Sequence, residues 1–149
     1  MAKKNQKLKP NLRDRFYLFL ILALAFLVRL VGIRFGLPDL YHADEPIIVN
    51  HALAYGSGDL NPHFFKIPPL VSYVLFLVYG FYFILGRTIG WFANTNDFLE
   101  LFLTNPSSFY LLARILFGVL LGTSSIYALY KLEERFFSVQ KALISAFLF

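Results

Sequence analysis

The sequence predicts an all-α protein of polytopic membrane helices, with short amphipathic helices in a first exoplasmic loop and ahead of a third span. Three observations carry that class. Of the 149 residues, 58% are hydrophobic and only 15% are charged, against about a quarter charged in soluble domains. Apolar runs of about 20 residues recur, the length that crosses a hydrocarbon core. Basic residues crowd one end: Lys3, Lys4, Lys7, Lys9, Arg13 and Arg15 stand directly before the first run. That placement orients a membrane protein and does not make a groove-reading surface, so the formal charge of +5 implies no nucleic-acid partner. The chain has no cysteine, which excludes disulfide and thiol chemistry.

Residues 1–15 form the cytoplasmic tail. Residues 16–37 form the first span, apolar apart from Arg29 and Arg34, and it closes at Pro38. Ala23-Leu24-Ala25 has the spacing of a signal-peptide cleavage site, but the apolar run continues well past it. The basic residues before the run, against Lys66 alone in the loop 38–66, put the N-terminus in the cytoplasm and the loop on the exoplasmic face. The protein is then expected in a plasma (inner) membrane if prokaryotic, as a multi-pass integral protein.

In that loop a surface helix is expected over about 46–55. Asp44 suits its N-cap, Glu45 and Pro46 suit its first turn, and Gly56 suits its stop. Ile47, Ile48, Ala52 and Tyr55 form an apolar stripe, which predicts a helix lying on the membrane surface. Gly56 to Asp59 reads as a turn and Asn61-Pro62-His63 as irregular chain. Residues 67–86 form the second span, whose opening Pro68 and Pro69 fall where backbone N–H groups lack partners anyway. Residues 87–108 are too polar to span and form a cytoplasmic interfacial segment. Asp97 and Glu100 have capping-box spacing there, ahead of Phe98, Leu99, Leu101, Phe102 and Leu103. Residues 109–130 form the third span, and Gly118 and Gly122 predict close helix packing within it. A loop, 131–141, carries Lys131, Arg135 and Lys141. Residues 142–149 open a new apolar stretch too short to cross, which reads as a truncated fourth span of a longer protein.

The chemistry-bearing residues gather in the first loop. Asp44 and Glu45 are adjacent carboxylates at a helix start, where the dipole favours the ionised form. Such a carboxylate can take a proton from a hydroxyl, orient a cation or simply complement the helix. Lys66 stands just before Ile67-Pro68-Pro69, at headgroup depth, where an ammonium can snorkel or hold a lipid phosphate. A helix of about ten residues covers only roughly 15 Å, so the two ends of the loop can converge. His42, His51, His63 and Asp59 share the loop, but their spacing matches no compact ligand motif. A divalent metal is therefore the minority reading, and no cofactor is assigned. Arg29, inside the first span, must snorkel or pair with a loop carboxylate.

The stretch Tyr41 to Leu70, with Asp44-Glu45, Gly58-Asp59 and Lys66-Ile67-Pro68-Pro69-Leu70, resembles the first external loop of GT-C membrane glycosyltransferases. It is closest to the protein O-mannosyltransferases and the lipid A aminoarabinose transferases, and the likeness extends more weakly to Arg114 and the third span. Two positions depart from the pattern: Ile67 interrupts the Lys-Pro-Pro run, and His42 stands where many members carry other residues. The resemblance implies inverting transfer of a sugar from a polyprenyl-phosphate donor to a hydroxyl of a protein, lipid or glycan. It implies Asp44 as general base, Glu45 as its support or as an acceptor-orienting group, and Lys66 on the leaving phosphate. His42, His63, Asp59 and Arg29 are supporting candidates. Two other classes compete. A transporter or flippase-like carrier would want charges at mid-bilayer depth in several spans, which the second and third spans lack. A non-catalytic membrane subunit would use Asp44 only to cap a helix.

Overall fold

A computed structural model describes residues 10–39 and 44–149, and no strand occurs among them. The first helix, α1 (Leu12–Leu30), starts at a reciprocal cap. The Asn11 side chain accepts from the Asp14 N–H at 2.9 Å, and the Asp14 carboxylate accepts from the Asn11 N–H at 3.1 Å. The helix thus begins before residue 16, because a polar cap and not the edge of the apolar run sets its start. It also stops short of residue 37. Gly32 and Gly36 turn with φ of 75°, a left-handed backbone that glycine adopts freely, and residues 31–39 are turns.

Helices α2 (Asp44–Ala54), α3 (Leu70–Ile89) and α4 (Thr95–Thr104) follow. Next comes an unbroken helical run, Ser107–Glu133, made of α5 (Ser107–Ala113), a π-helical stretch Arg114–Leu121, and α6 (Gly122–Glu133). The last helix is α7 (Val139–Leu148), which begins ahead of the apolar stretch expected from residue 142. Two of these helices are long and apolar enough to cross a membrane. They are Leu70–Ile89, with 20 residues, and Ser107–Glu133, with 27, each with mean hydropathy 1.7. Leu77, Phe81 and Ile84 of α3 all stand more than half exposed, as side chains that face hydrocarbon do.

The described chain divides into two compact units, Met1–Ile33 with Ile115–Phe149, and Arg34–Arg114. In the first unit, Ile126 and Tyr130 of α6 pack with Val139, Ala142, Leu143 and Ala146 of α7. Leu18, Ile21, Leu22 and Ala25 of α1 close over them, and their spacing of three and four residues is one helical face. The Gly118–Gly122 pair splits in role. An added Cβ at Gly122 would lie 2.8 Å from Arg29 Nε, while one at Gly118 would meet nothing within 4 Å. Gly122 is therefore the half of the motif that gives close packing.

In the second unit, α2 packs on α3, which covers Ala52 and Tyr55 of the apolar stripe, while Ile47 and Ile48 are half-buried. Val49, Ala52 and Tyr55 are buried. Tyr55 stacks on Tyr73 with centroids 4.8 Å apart and meets Phe76 edge-on at 5.9 Å. The second cap also sits one turn earlier than Asp97 and Glu100 suggested. Asn94 is the N-cap and Asp97 its reciprocal partner, so Asp97 is the third helical residue of α4. Phe98 of α4 packs on protein, while Leu99 and Leu103 stay exposed. Phe98 lies 4.9 Å from Phe109, 5.4 Å from Phe83 and 5.6 Å from Tyr82. At the end of α3, Gly86 leaves room for the Phe92 ring, which an added Cβ would approach to 2.2 Å.

Candidate functional site

α2 starts at Asp44, so Asp44 and Glu45 are both first-turn residues, and Asp44 is the first helical residue and not the cap. The two adjacent carboxylates then differ sharply. Glu45 is gripped by Arg114, the residue that opens the π-helical stretch. Arg114 Nε donates to Glu45 Oε1 at 2.9 Å and Nη2 donates to Oε2 at 2.7 Å. This is the two-pronged geometry that a planar guanidinium offers a carboxylate. Arg114 Nη1 also donates to the Phe35 carbonyl at 2.8 Å. Both side chains are mostly covered, at 18% exposure for Arg114 and 28% for Glu45. The low local dielectric strengthens such a pair. Asp44 is exposed, and its side chain makes no hydrogen bond or ion pair among the described residues.

Lys66 lies at the other end of the loop, exposed and four residues before α3 begins. It is not paired with Asp44 or Glu45. The chain on either side does come together. Ile47 and Ile48, one turn after Asp44, share a narrow crevice with Ile67 and Pro68, which directly follow Lys66. Three contacts hold this arrangement. The Tyr55 and Ser72 hydroxyls are 3.0 Å apart, Ser72 Oγ donates to the Pro69 carbonyl at 2.9 Å, and Tyr73 Oη donates to the Leu60 carbonyl at 2.8 Å. The two bonds of Ser72 satisfy polar groups that burial would otherwise penalise, and the Tyr73 bond lies at the surface.

The two described histidines, His51 and His63, make separate contacts. His51 turns its ring to the Ile47 carbonyl one helical turn back and lies 5.3 Å from Phe64. His63 pairs with Asp59, with Nε2 and Oδ2 2.8 Å apart. Asp59 Oδ1 accepts from the Asn61 N–H at 2.8 Å, and Asn61 Oδ1 accepts from the His63 N–H at 3.1 Å. The His63 hydrogen bond, followed by that from Asn61, lowers the Asp59 pKa below its ordinary 3.8. His42 and Tyr41 lie outside the described residues. Arg29 belongs to the other unit, where Nη1 donates to the Ala25 carbonyl at 3.2 Å and the side chain covers Gly122. The arginine that engages a loop carboxylate is Arg114. It is 69 positions from Glu45 in sequence, so no local motif joins them. The available signal was physical, since an arginine within an apolar run needs a partner.

The chain matches no family model, no curated protein and no solved structure.

Proposed function

We propose that this chain belongs to a multi-pass membrane glycosyltransferase that moves a sugar from a polyprenyl-phosphate donor to an exoplasmic hydroxyl. The observation that carries the reading is the split of the carboxylate pair. Glu45 is engaged by Arg114, and Asp44 stands exposed beside it at a helix start. A carboxylate with both oxygens engaged by a guanidinium has little room for an acceptor hydroxyl, whereas an exposed one at a fixed backbone position can reach it and serve as a base. The resemblance of Tyr41 to Leu70 to the first loop of GT-C enzymes supports the same assignment.

In this reading the acceptor oxygen attacks the anomeric carbon as Asp44 takes the hydroxyl proton. The bond from that carbon to the phosphate oxygen breaks with inversion. The polyprenyl phosphate leaves with the electron pair, its charge met by the Lys66 ammonium. Glu45 is a positioning residue, which through Arg114 holds the first turn of α2 in place. The basic N-terminal tail supports an exoplasmic loop, and in this reading the partners are the lipid-linked sugar and an acceptor protein, lipid or glycan.

The complete gene product in lipid nanodiscs, supplied with a labelled polyprenyl-phosphate sugar, tests the cation. Lys66→Ala raises the donor KM by about tenfold, the loss of one charge-assisted contact worth roughly 1.4 kcal/mol. An unchanged donor KM removes Lys66 from the phosphate site.

A further inference from the structure

In the first unit α1 and α6 run in opposite senses. Arg29, late in α1, covers Gly122 at the start of α6. Leu18, Ile21, Leu22 and Ala25, earlier in α1, pack with Ile126 and Tyr130, later in α6. The Asp14 charge acts on the Tyr130 phenol, which gives the same sense. The first turn of α1 therefore lies at the same end of this unit as the last turn of α6 and the turn into α7. Arg13 and Arg15 reach that end from α1, Lys131 from α6, and Arg135 and Lys141 from the chain after it, all of them exposed. The acids there are Asp14, Glu133 and Glu134. Asp14 caps its own helix and Glu134 takes Lys131, which leaves more positive than negative charge. Lys3, Lys4, Lys7 and Lys9 directly precede in sequence. Phe16, Phe136 and Phe137 stand beside these cations in sequence, each more than half exposed, and Lys141 Nζ lies 6.0 Å from the centre of the Phe137 ring.

We propose that this end of the unit is a docking surface for the headgroups of anionic phospholipids in the cytoplasmic leaflet. Cations beside exposed aromatic rings match that boundary, because the charges meet phosphate and the rings enter the acyl margin. Each lysine or arginine near an anionic surface strengthens the attraction by roughly fivefold. The side of the membrane follows from the path of the chain. Glu45 and Arg114 are joined, so the chain between them ends where it began, on the face of the first loop. From Ile115 to Glu133 the helical run then covers roughly 28 Å, enough to cross the roughly 30 Å hydrocarbon core to the face of the tail. Three spans in strict alternation would instead leave Lys131, Arg135 and Lys141 opposite the tail, against the preference of basic residues for the cytoplasm. The surface is separate from Asp44 and Lys66 and holds whatever reaction they serve.

The chain has no cysteine, so single introduced cysteines report the face. Ser138 is exposed and its side chain makes no cap hydrogen bond, and Ser57 is exposed in the first loop. Ser138→Cys, Ser57→Cys and a tail reference, Asn5→Cys, are treated with a membrane-impermeant maleimide in sealed vesicles of each orientation. Ser138→Cys reacts from the face of Asn5→Cys; reaction from the face of Ser57→Cys overturns the surface. Lipid choice is read in nanodiscs of the full chain carrying Trp91→Phe and Phe136→Trp, by quenching with brominated phosphatidylglycerol or brominated phosphatidylcholine. Phosphatidylglycerol binds at least about fivefold more tightly at low salt, and the preference shrinks as salt rises. Arg15→Gln with Lys141→Gln brings the ratio close to one, while Arg15→Lys with Lys141→Arg keeps the preference. Equal quenching by the two lipids overturns the surface, as does a preference that survives the loss of both charges. Displacement of phosphatidylglycerol by millimolar glycerol phosphate shows a site for free phosphate and overturns docking to the membrane.

Discussion

Glu45→Gln keeps the shape of the side chain and removes the charge that Arg114 grips. At an effective dielectric of about 20, unit charges about 4 Å apart attract by about 4 kcal/mol. Partial desolvation and ordering of two long side chains offset part of this. Charge-assisted hydrogen bonds contribute about 1.5–3 kcal/mol net, so the pair is worth about 2 kcal/mol. The discount for exposure is modest, since the Arg114 and Glu45 side chains are 18% and 28% exposed. Glu45→Gln should lose about 2 kcal/mol and Arg114→Gln at least as much, since its hydrogen bond to the Phe35 carbonyl goes too, and the double variant should lose little more than Arg114→Gln alone, because both changes remove one shared interaction. Thermal unfolding in nanodiscs, followed by the fluorescence of Trp91 and the tyrosines, reads this as a shift of about 4–8 °C for each variant at roughly 2–4 °C per kcal/mol. Arg114→Lys should recover only part of the loss, because an ammonium cannot present the fork. A double variant whose shift equals the sum of the two single shifts refutes the coupling, and with it the positioning role of Glu45.

Gly86→Ala should destabilise the second unit by about 1–3 kcal/mol, since the new Cβ lies 2.2 Å from the Phe92 ring and overpacking forces that ring to move; an unchanged unfolding temperature contradicts the packing described. The Asp59–His63 tie favours the charged carboxylate, so its contribution is present above the ordinary value of 3.8 and is lost as pH falls through the lowered value in the folded protein. Carbon NMR titration of Asp59 checks it: His63→Ala returns the midpoint toward 3.8, and an identical midpoint in both proteins contradicts the tie.

Local chemistry made the helices legible, and long-range pairing hid the site's key contact. The two long apolar helices follow from runs of Leu, Val, Phe and Ile that water cannot solvate. Their ends were harder, because caps compete with hydropathy. Asn11 with Asp14 and Asn94 with Asp97 both start helices ahead of the apolar residues that drew the eye. The stripe Ile47, Ile48, Ala52 and Tyr55 suits a membrane surface, but an amphipathic helix also packs on a neighbour, and Tyr73 and Phe76 of α3 take up Tyr55. Asp44, Glu45 and Lys66 were visible as residue types at suggestive positions. What separates the two carboxylates was not, because Arg114 reaches Glu45 across the intervening loop and α3. The same cost of a charge in apolar surroundings was applied to Arg29, whose guanidinium turns to its own backbone and to the space left by Gly122.

Replacement of Asp44 by asparagine tests the account most directly. It keeps the size of the side chain and removes the proton acceptor, leaving the Glu45–Arg114 pair untouched. Sugar transfer from a polyprenyl-phosphate donor is measured for the complete gene product beside Asp44→Asn at equal membrane insertion. The account predicts a fall in kcat of about 10²–10⁴-fold, the usual worth of a general base, with donor KM nearly unchanged. Normal turnover in Asp44→Asn contradicts it.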